Sequence, residues 1–168
     1  MRHIISILLQ NEAGALTRVA GLFSTRGYNI ESLSVAPTDD PSVSRLTLVT
    51  TGSDSVIHQI VSQVQKLVDV VLVDDMTRGE HFEREVALLK FRVGEHGIDP
   101  LARLVTEMDG KILSGALASF VVALTNSEAE INRFIGQASQ HAELTEVVRS
   151  GALAIGAGAR ALRLTASA

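Results

Sequence analysis

The chain has 168 residues, of which 46% are apolar and 20% charged, with a net charge of −4 and a pI near 5.7. That length suits one medium domain or two small ones, and the acidic balance gives no electrostatic case for nucleic acid or an anionic membrane as main partner. The absence of cysteine excludes disulfides, cysteine-ligated zinc and thiol catalysis, and it fits a reducing cytosol.

At the N-terminus, "MRHIISILLQNE" carries an apolar run, Ile4 to Leu9, that is interrupted by Ser6 and shorter than the h-region of a signal peptide. No run approaches the roughly 18 apolar residues of a membrane span. The expectation is a soluble, cytoplasmic protein. Ile4 to Leu9 reads as a strand buried on both faces. Leu16, Val19, Ala20 and Phe23 follow at the spacing of an amphipathic helix, which Gly27 ends at its C′ position. Ile30 to Val35 is a second strand, "APTDDPSVS" a polar turn, and Val43 to Thr51 a third strand rich in β-branched residues. Ile57, Ile60, Val61, Val64, Leu67 and Val68 make the stripe of a second helix, and Val70 to Val73 closes with a short strand. The order β-α-β-β-α-β is the ferredoxin-like split βαβ arrangement.

"MTRGEHFERE" breaks the pattern with charge and a glycine, and it sets an expected boundary between residues 1–78 and 79–168. After it the order repeats. Val86 to Val93 alternates, Asp99-Pro100 offers an N-cap and N1 pair, and Leu101, Leu104, Val105 and Met108 form the next stripe. Lys111 to Gly115 and Phe120 to Leu124 make two strands. Ser127 with Glu130 is a capping box ahead of Ile131, Phe134, Ile135 and Ala138. Leu144 to Val148 closes the second half, with "ALAIG" as a possible extension. The expected fold class is α+β, two ferredoxin-like βαββαβ sandwiches of like topology without a sequence repeat.

Catalytic constellations are missing. Five scattered histidines lack the i, i+4 spacing of a helical metal pair, and Asp39-Asp40 and Asp74-Asp75 suit turns and strand ends as well as they suit acid–base work. "GAGARA", Gly156 to Ala161, matches a dinucleotide fingerprint but stands seven residues from the end, without the βαβ unit or the later acid it requires. With five Phe, one Tyr and no Trp, the strands lack the stacking aromatics of an RNA-binding sheet. No catalytic residue and no metal ligand is assigned.

The loop Gln10 to Gly14 joins the first strand to the first helix. A helix N-terminus presents free N–H groups and a partial positive charge, a ready place for a carboxylate, and a glycine lets a ligand approach the backbone. Asn11 can both donate and accept, which suits a zwitterionic amino acid, with Leu9, Leu16 and Ile30 as an apolar wall. The same residues serve equally well as structure alone: Asn11 capping the loop, Gly14 permitting a tight turn, Asn29 taking left-handed geometry after the helix.

On these residues the chain resembles an ACT domain, the small-molecule sensing module. More closely, "NEAGALTRVAGLFSTRGYNIESLSVAPTDDPSVSRLTL" is similar to the small regulatory subunit of acetohydroxyacid synthase, also called acetolactate synthase, and "RGYNIESLSVAPTDD" is specific to that family. "KLVDVVLVDDMT", "EREVALLKFRV" and "TEVVRSGALAIG" resemble its later segments, so the likeness covers nearly the whole chain. The resemblance implies an ACT-type amino-acid-binding domain over residues 1–78, followed by the small subunit's C-terminal domain. It implies a subunit with no active site or cofactor of its own, working with a large catalytic subunit that holds thiamine diphosphate, Mg and FAD. That enzyme catalyses the committed step toward valine, leucine and isoleucine. The small subunit raises its activity and confers feedback inhibition by valine. The resemblance also implies a homodimer of ACT domains paired side by side, with effector sites shared between chains. By family match the valine site comprises Asn11, Ala13, Gly14, Ala15 and Leu16 of one chain with Asn29 and Ile30 of the other. The alternative is an ACT-type amino-acid sensor acting on a different target. A small ferredoxin-like enzyme, such as an acylphosphatase, is disfavoured by the missing constellation.

Overall fold

The computed structural model describes residues 1–164. The elements run β1 (Arg2–Gln10), α1 (Ala15–Thr25), β2 (Ser32–Pro37), β3 (Val43–Thr51), α2 (Asp54–Val64), β4 (Val70–Asp75), β5 (His81–Val93), α3 (Ile98–Glu107), β6 (Lys111–Ala116), β7 (Ser119–Asn126), α4 (Glu128–Ala138), β8 (Ala142–Arg149) and β9 (Leu153–Gly156). The first antiparallel sheet has the order β2-β3-β1-β4 and the second β6-β7-β5-β8, with β9 also pairing to β5. Both are the split βαβ arrangement read from the sequence.

The chain divides into two compact units. One comprises Met1–Glu83 together with the segment that starts at Ala152, and the other is Arg84–Gly151. This differs from a division at residue 78. "MTRGEHFERE" is not a linker: Met76–Arg78 form a 3₁₀ turn and β5 then runs unbroken from His81. Its charges are satisfied at a distance, Glu83 by Arg2 and Glu85 by Arg149. Nor does "ALAIG" prolong the closing strand. β8 ends at Arg149, Gly151 turns with φ 74°, and Ala152 and Ala154 pack with Ile4, Val49 and Met76 in the first unit.

In the first unit β1 pairs with β3 from Arg2↔Thr51 to Gln10↔Val43, which sends Ile5, Ile7 and Leu9 to one face. There they pack with Leu46 and Leu48 of β3, Val19 and Phe23 of α1, and Ile57, Ile60 and Val64 of α2. Period-2 alternation on the strands thus meets the helical stripes in one layer of core. Of the expected α1 stripe, Val19 and Phe23 are buried and Ala20 partly so, while Leu16 is 37% exposed and Ala15 takes its place in the core. α2 stops at Val64 rather than continuing through Val68. Leu67 N donates to Val64 O, a short turn that leaves Val68 in solvent. In the second unit Ala87, Leu89, Phe91 and Val93 alternate inward onto Leu101, Val105, Ile131 and Phe134. Asp99-Pro100 lies inside α3, whose N-cap is Gly97. The Ser127–Glu130 capping box is present in full.

Candidate functional site

The β1–α1 loop is held from three sides. Gln10 N donates to Asp69 O (2.8 Å) and Asn11 N to Ser42 O (2.7 Å). The Asn11 side chain donates through Nδ2 to Pro41 O (3.0 Å), and its Oδ1 accepts from Ser44 Oγ (3.1 Å). The asparagine therefore ties the loop to the β2–β3 turn, as its structural role requires, and its second N–H and second lone pair remain to face a ligand. Behind the loop, Arg18 of α1 grips Asp69 with Nε and Nη2, the latter at 2.8 Å. Asp69 is 4% exposed, and the hydrogen bond from Arg18, more than the opposing burial, holds its carboxyl below the usual range.

Gly14 is the N-cap of α1 with φ 89°, a left-handed conformation that only glycine adopts freely. No side chain caps α1 and its first turn holds no acidic residue. The other three helices each carry an acid there: Asp54 in α2, Asp99 in α3, Glu128 and Glu130 in α4. Ala15 N donates to Glu12 O at 3.3 Å, the N–H groups that follow it in the first turn have no side-chain cap, and the positive end of the helix dipole is not offset there.

Beside this terminus lies a cleft of ≈ 240 Å³, lined among others by Leu9, Asn11, Glu12, Ala15, Leu16 and Ser44. It falls below the ~300 Å³ typical of drug-sized pockets, a volume for a small ligand. Its chemistry suits a zwitterion: helix N–H groups for a carboxylate, the Glu12 carboxylate and Asn11 carbonyl for an ammonium, Leu9 and Leu16 for an aliphatic chain.

Asn11, Ala15 and Leu16 line the cleft, and Ala13 and Gly14 stand in the loop beside it. Asn29 and Ile30 do not join them within one chain. They follow the far end of α1, an 11-residue helix spanning roughly 16 Å. Asn29 is exposed, its carbonyl accepts from Thr50 Oγ1 (2.6 Å), and its side-chain amide makes no hydrogen bond among the described residues. It does not have positive φ; Gly27 (φ 69°) makes that turn. Ile30 leans on the first unit's core rather than forming a wall of the cleft.

Sequence reasoning passed over Glu12, Ser44 and the Arg18–Asp69 pair. A faint signal for Asp69 was present, a lone carboxylate inside "KLVDVVLV". An acid in an apolar run has to find a partner if it is buried. Among the described residues no group of three or more His, Asp or Glu could hold a metal ion, and no helix is long and apolar enough to cross a membrane.

Residues 5–72 match the model of the AHAS small subunit-like ACT domain, and residues 84–158 that of the small subunit of acetolactate synthase. The chain is 43% identical to the acetolactate synthase isozyme 3 small subunit of Escherichia coli (strain K12), covering 97% of this chain and 100% of that one. It is 34% identical to a probable acetolactate synthase small subunit of Archaeoglobus fulgidus, over 92% and 96% of the two chains. The crystal structure of the acetolactate synthase small subunit from Thermotoga maritima superposes with a TM-score of 0.83 at 32% identity, covering 92% of this chain and 96% of that one. The chain belongs to the family of acetolactate synthase small subunits.

Proposed function

We propose that this chain is the regulatory small subunit of an acetolactate synthase and senses valine at the β1–α1 loop. The observation that carries the site is the helix start: α1 alone among the four described helices has neither a side-chain cap nor an acid in its first turn, and it opens onto a cleft sized for a small ligand. The amino acid's carboxylate takes the N–H of Leu16 and competes with Glu12 O for that of Ala15, a long bond of 3.3 Å, with Ala13 and Gly14 at the turn. Asn11 and Glu12 face its ammonium. Asn29 and Ile30 come from a second copy of the chain, because within one copy they lie a helix length away. Dimerisation through the ACT domains completes the site. The chain supplies no catalytic group, and turnover belongs to the large subunit with its thiamine diphosphate, Mg and FAD. Valine closes the branched-chain pathway's feedback by binding two states of the holoenzyme unequally.

The deciding experiment assays a purified catalytic subunit with and without this chain over a panel of amino acids. Activation by the chain and inhibition by valine are expected. Activation without sensitivity to any amino acid would leave the subunit role and remove the sensor. Valine at a hundredfold excess over its dissociation constant should stabilise the free protein by about 2.7 kcal/mol. Asn29→Ala separates binding from folding. Its amide has no partner among the described residues, so stability should change by no more than about 0.5 kcal/mol, while valine inhibition should weaken about tenfold or more, as expected for a lost hydrogen bond to a charged ligand. Unaltered inhibition in that variant would remove Asn29 from the site.

A further inference from the structure

The first unit holds a second cleft that the amino-acid site does not use. Arg45 of β3 stands at its base, half-buried. Arg2, Arg18, Arg149 and Arg160 each meet a carboxylate, of Glu83, Asp69, Glu85 and Asp74 respectively. Arg45 meets none. Its Nη2 donates only to neutral oxygens, Ala154 O at 2.8 Å and Ser6 Oγ at 3.3 Å. Its Nε and Nη1 have no partner among the described residues and are not sealed from solvent. A guanidinium partly stripped of water, with the Asp74 carboxylate acting on it only through its field and no carboxylate bonded to it, is an arrangement that a directly bound anion improves. Desolvation accordingly pushes the guanidinium pKa down.

The space above Arg45 has a volume of ≈ 430 Å³, within the usual range for small-molecule sites. Hydroxyl side chains of Ser34, Thr38 and Thr47 line one part of it, and Leu153, Ile155 and Leu162 of the returning segment line another. That segment is pinned by Arg160, which grips Asp74 and also donates to Asp75 O at 3.2 Å. The cleft therefore has a firm wall on each side. Asp39 at its edge adds a negative charge. One cation near two carboxylates, Asp39 and Asp74, disfavours phosphate, which carries about 1.5 to 2 charges at neutral pH, more than it disfavours a singly charged ligand.

We propose that this cleft, between β3 and the returning segment, binds a small aliphatic monocarboxylate, with the carboxylate on Arg45 and the hydrocarbon against Leu153, Ile155 and Leu162. This proposal is independent of the valine site, because a ligand here needs no ammonium and no second copy of the chain.

The test uses the full chain with methyl-labelled Leu and Ile, titrated with isobutyrate, which has a carboxylate and a branched tail but no amine. Saturable shifts confined to Leu153, Ile155 and Leu162 are expected in the millimolar range. Arg45→Met should weaken binding about tenfold or more, the loss expected for a charged hydrogen-bond partner. Leu162→Asp should do the same by placing a competing carboxylate beside Arg45, and it decides the matter if Arg45→Met does not fold. Absence of saturation at tens of millimolar, shifts centred on Leu9 and Leu16, wild-type affinity in the folded variants, or equal affinity for inorganic phosphate would each overturn the proposal.

Discussion

Gly14 and Gly97 hold the same place in their respective units, the last residue before the first helix, and they are glycines for different reasons. Gly14 has φ 89°, and a Cβ there would meet only the guanidinium of Arg18, at 3.1 Å. Gly97 has an ordinary φ of −89°, but a Cβ there would lie 2.3 Å from the carbonyl oxygen of His141 and 3.0 Å from Val93 Cγ1. The first turn of α3 also carries Asp99, whereas that of α1 carries no acid. So the same topology yields one helix start that is open and electropositive and another that backbone closes over and a carboxylate offsets. Two junctions of equal rank in the fold are thus unequal as ligand sites, and the difference lies in one dihedral angle and one close approach.

The largest expected effect tests the closed junction. Gly97→Ala forces a methyl group into the main-chain carbonyl of His141, the residue before β8, so the backbone has to shift. A loss of about 3 kcal/mol is expected, at the upper end for overpacking, read as a drop in chemical-denaturation midpoint. Gly14→Ala meets no backbone, and its penalty is the left-handed conformation itself, about 1–2 kcal/mol. The comparison breaks if the two variants lose equal stability. Gly14→Ala should also weaken valine inhibition, but the strain prevents a branched residue at position 14 from acting as a purely steric block. Loss of inhibition there is to be read beside Asn29→Ala, which carries no strain.

The second helices sharpen the comparison from the other side, since both are capped by serine. Ser127 accepts from Glu130 N (3.3 Å), and Glu130 Oε2 accepts in return from Ser127 N (3.2 Å). Ser53 makes one long capping bond, Val56 N to Oγ at 3.4 Å, and shares that Oγ with Ser55 Oγ at 3.0 Å, with no reciprocal bond to its own N–H. Ser127→Ala should therefore lose about 1 kcal/mol and Ser53→Ala roughly half that, within the measured range for N-caps. Equal losses in thermal melts would mean that the reciprocal bond in α4 adds nothing.

The sequence carried the fold through its periodicities. β3 is found with the bounds its β-branched run indicates, and the Ser127–Glu130 pair marks the start of α4 in both sequence and structure. Hydropathy failed where partners lie far apart in the chain. Glu85 falls in the charged stretch that reads as a boundary, because nothing near it in sequence says that Arg149 will meet it, yet it is buried in β5. Ala152 and Ala154 are too small to make a stripe, so their return to the first unit left no trace. At the candidate site, Asn11 and Gly14 were legible because left-handed turns and loop caps select few residue types. Asp69 and Ser44 were not, because the fold and not the local sequence brings them to the loop, and Glu12, although it stands in the loop, carries no turn signal of its own.

The smallest effect separates the two units by charge. Asp69 in the first unit and Glu130 in the second both have carboxyl groups held below their ordinary values, Asp69 first by its hydrogen bond from Arg18, Glu130 first by that from the Ser127 hydroxyl. A depressed carboxyl contributes stability that is fully present above its unfolded value, near pH 4, and is lost as pH falls through the lower folded value. The protein should therefore lose stability on acidification below about pH 4, and Asp69→Asn and Glu130→Gln should each flatten part of that limb. Both effects are modest, because the Arg18 side chain is 47% exposed and that of Glu130 40%, so solvent screens them. Salt distinguishes them. The Asp69 contribution is an ion pair and should shrink at high ionic strength, whereas the Glu130 contribution comes first from a neutral donor and should persist. Denaturation midpoints measured from pH 6 downward, at low and high salt, for the wild type and both variants, read this directly. If salt removes both contributions equally, α4 is held by charge and not by its capping box. If it removes neither, Arg18 acts on the loop through its directed hydrogen bonds to Asp69, and the open helix start is braced by geometry alone.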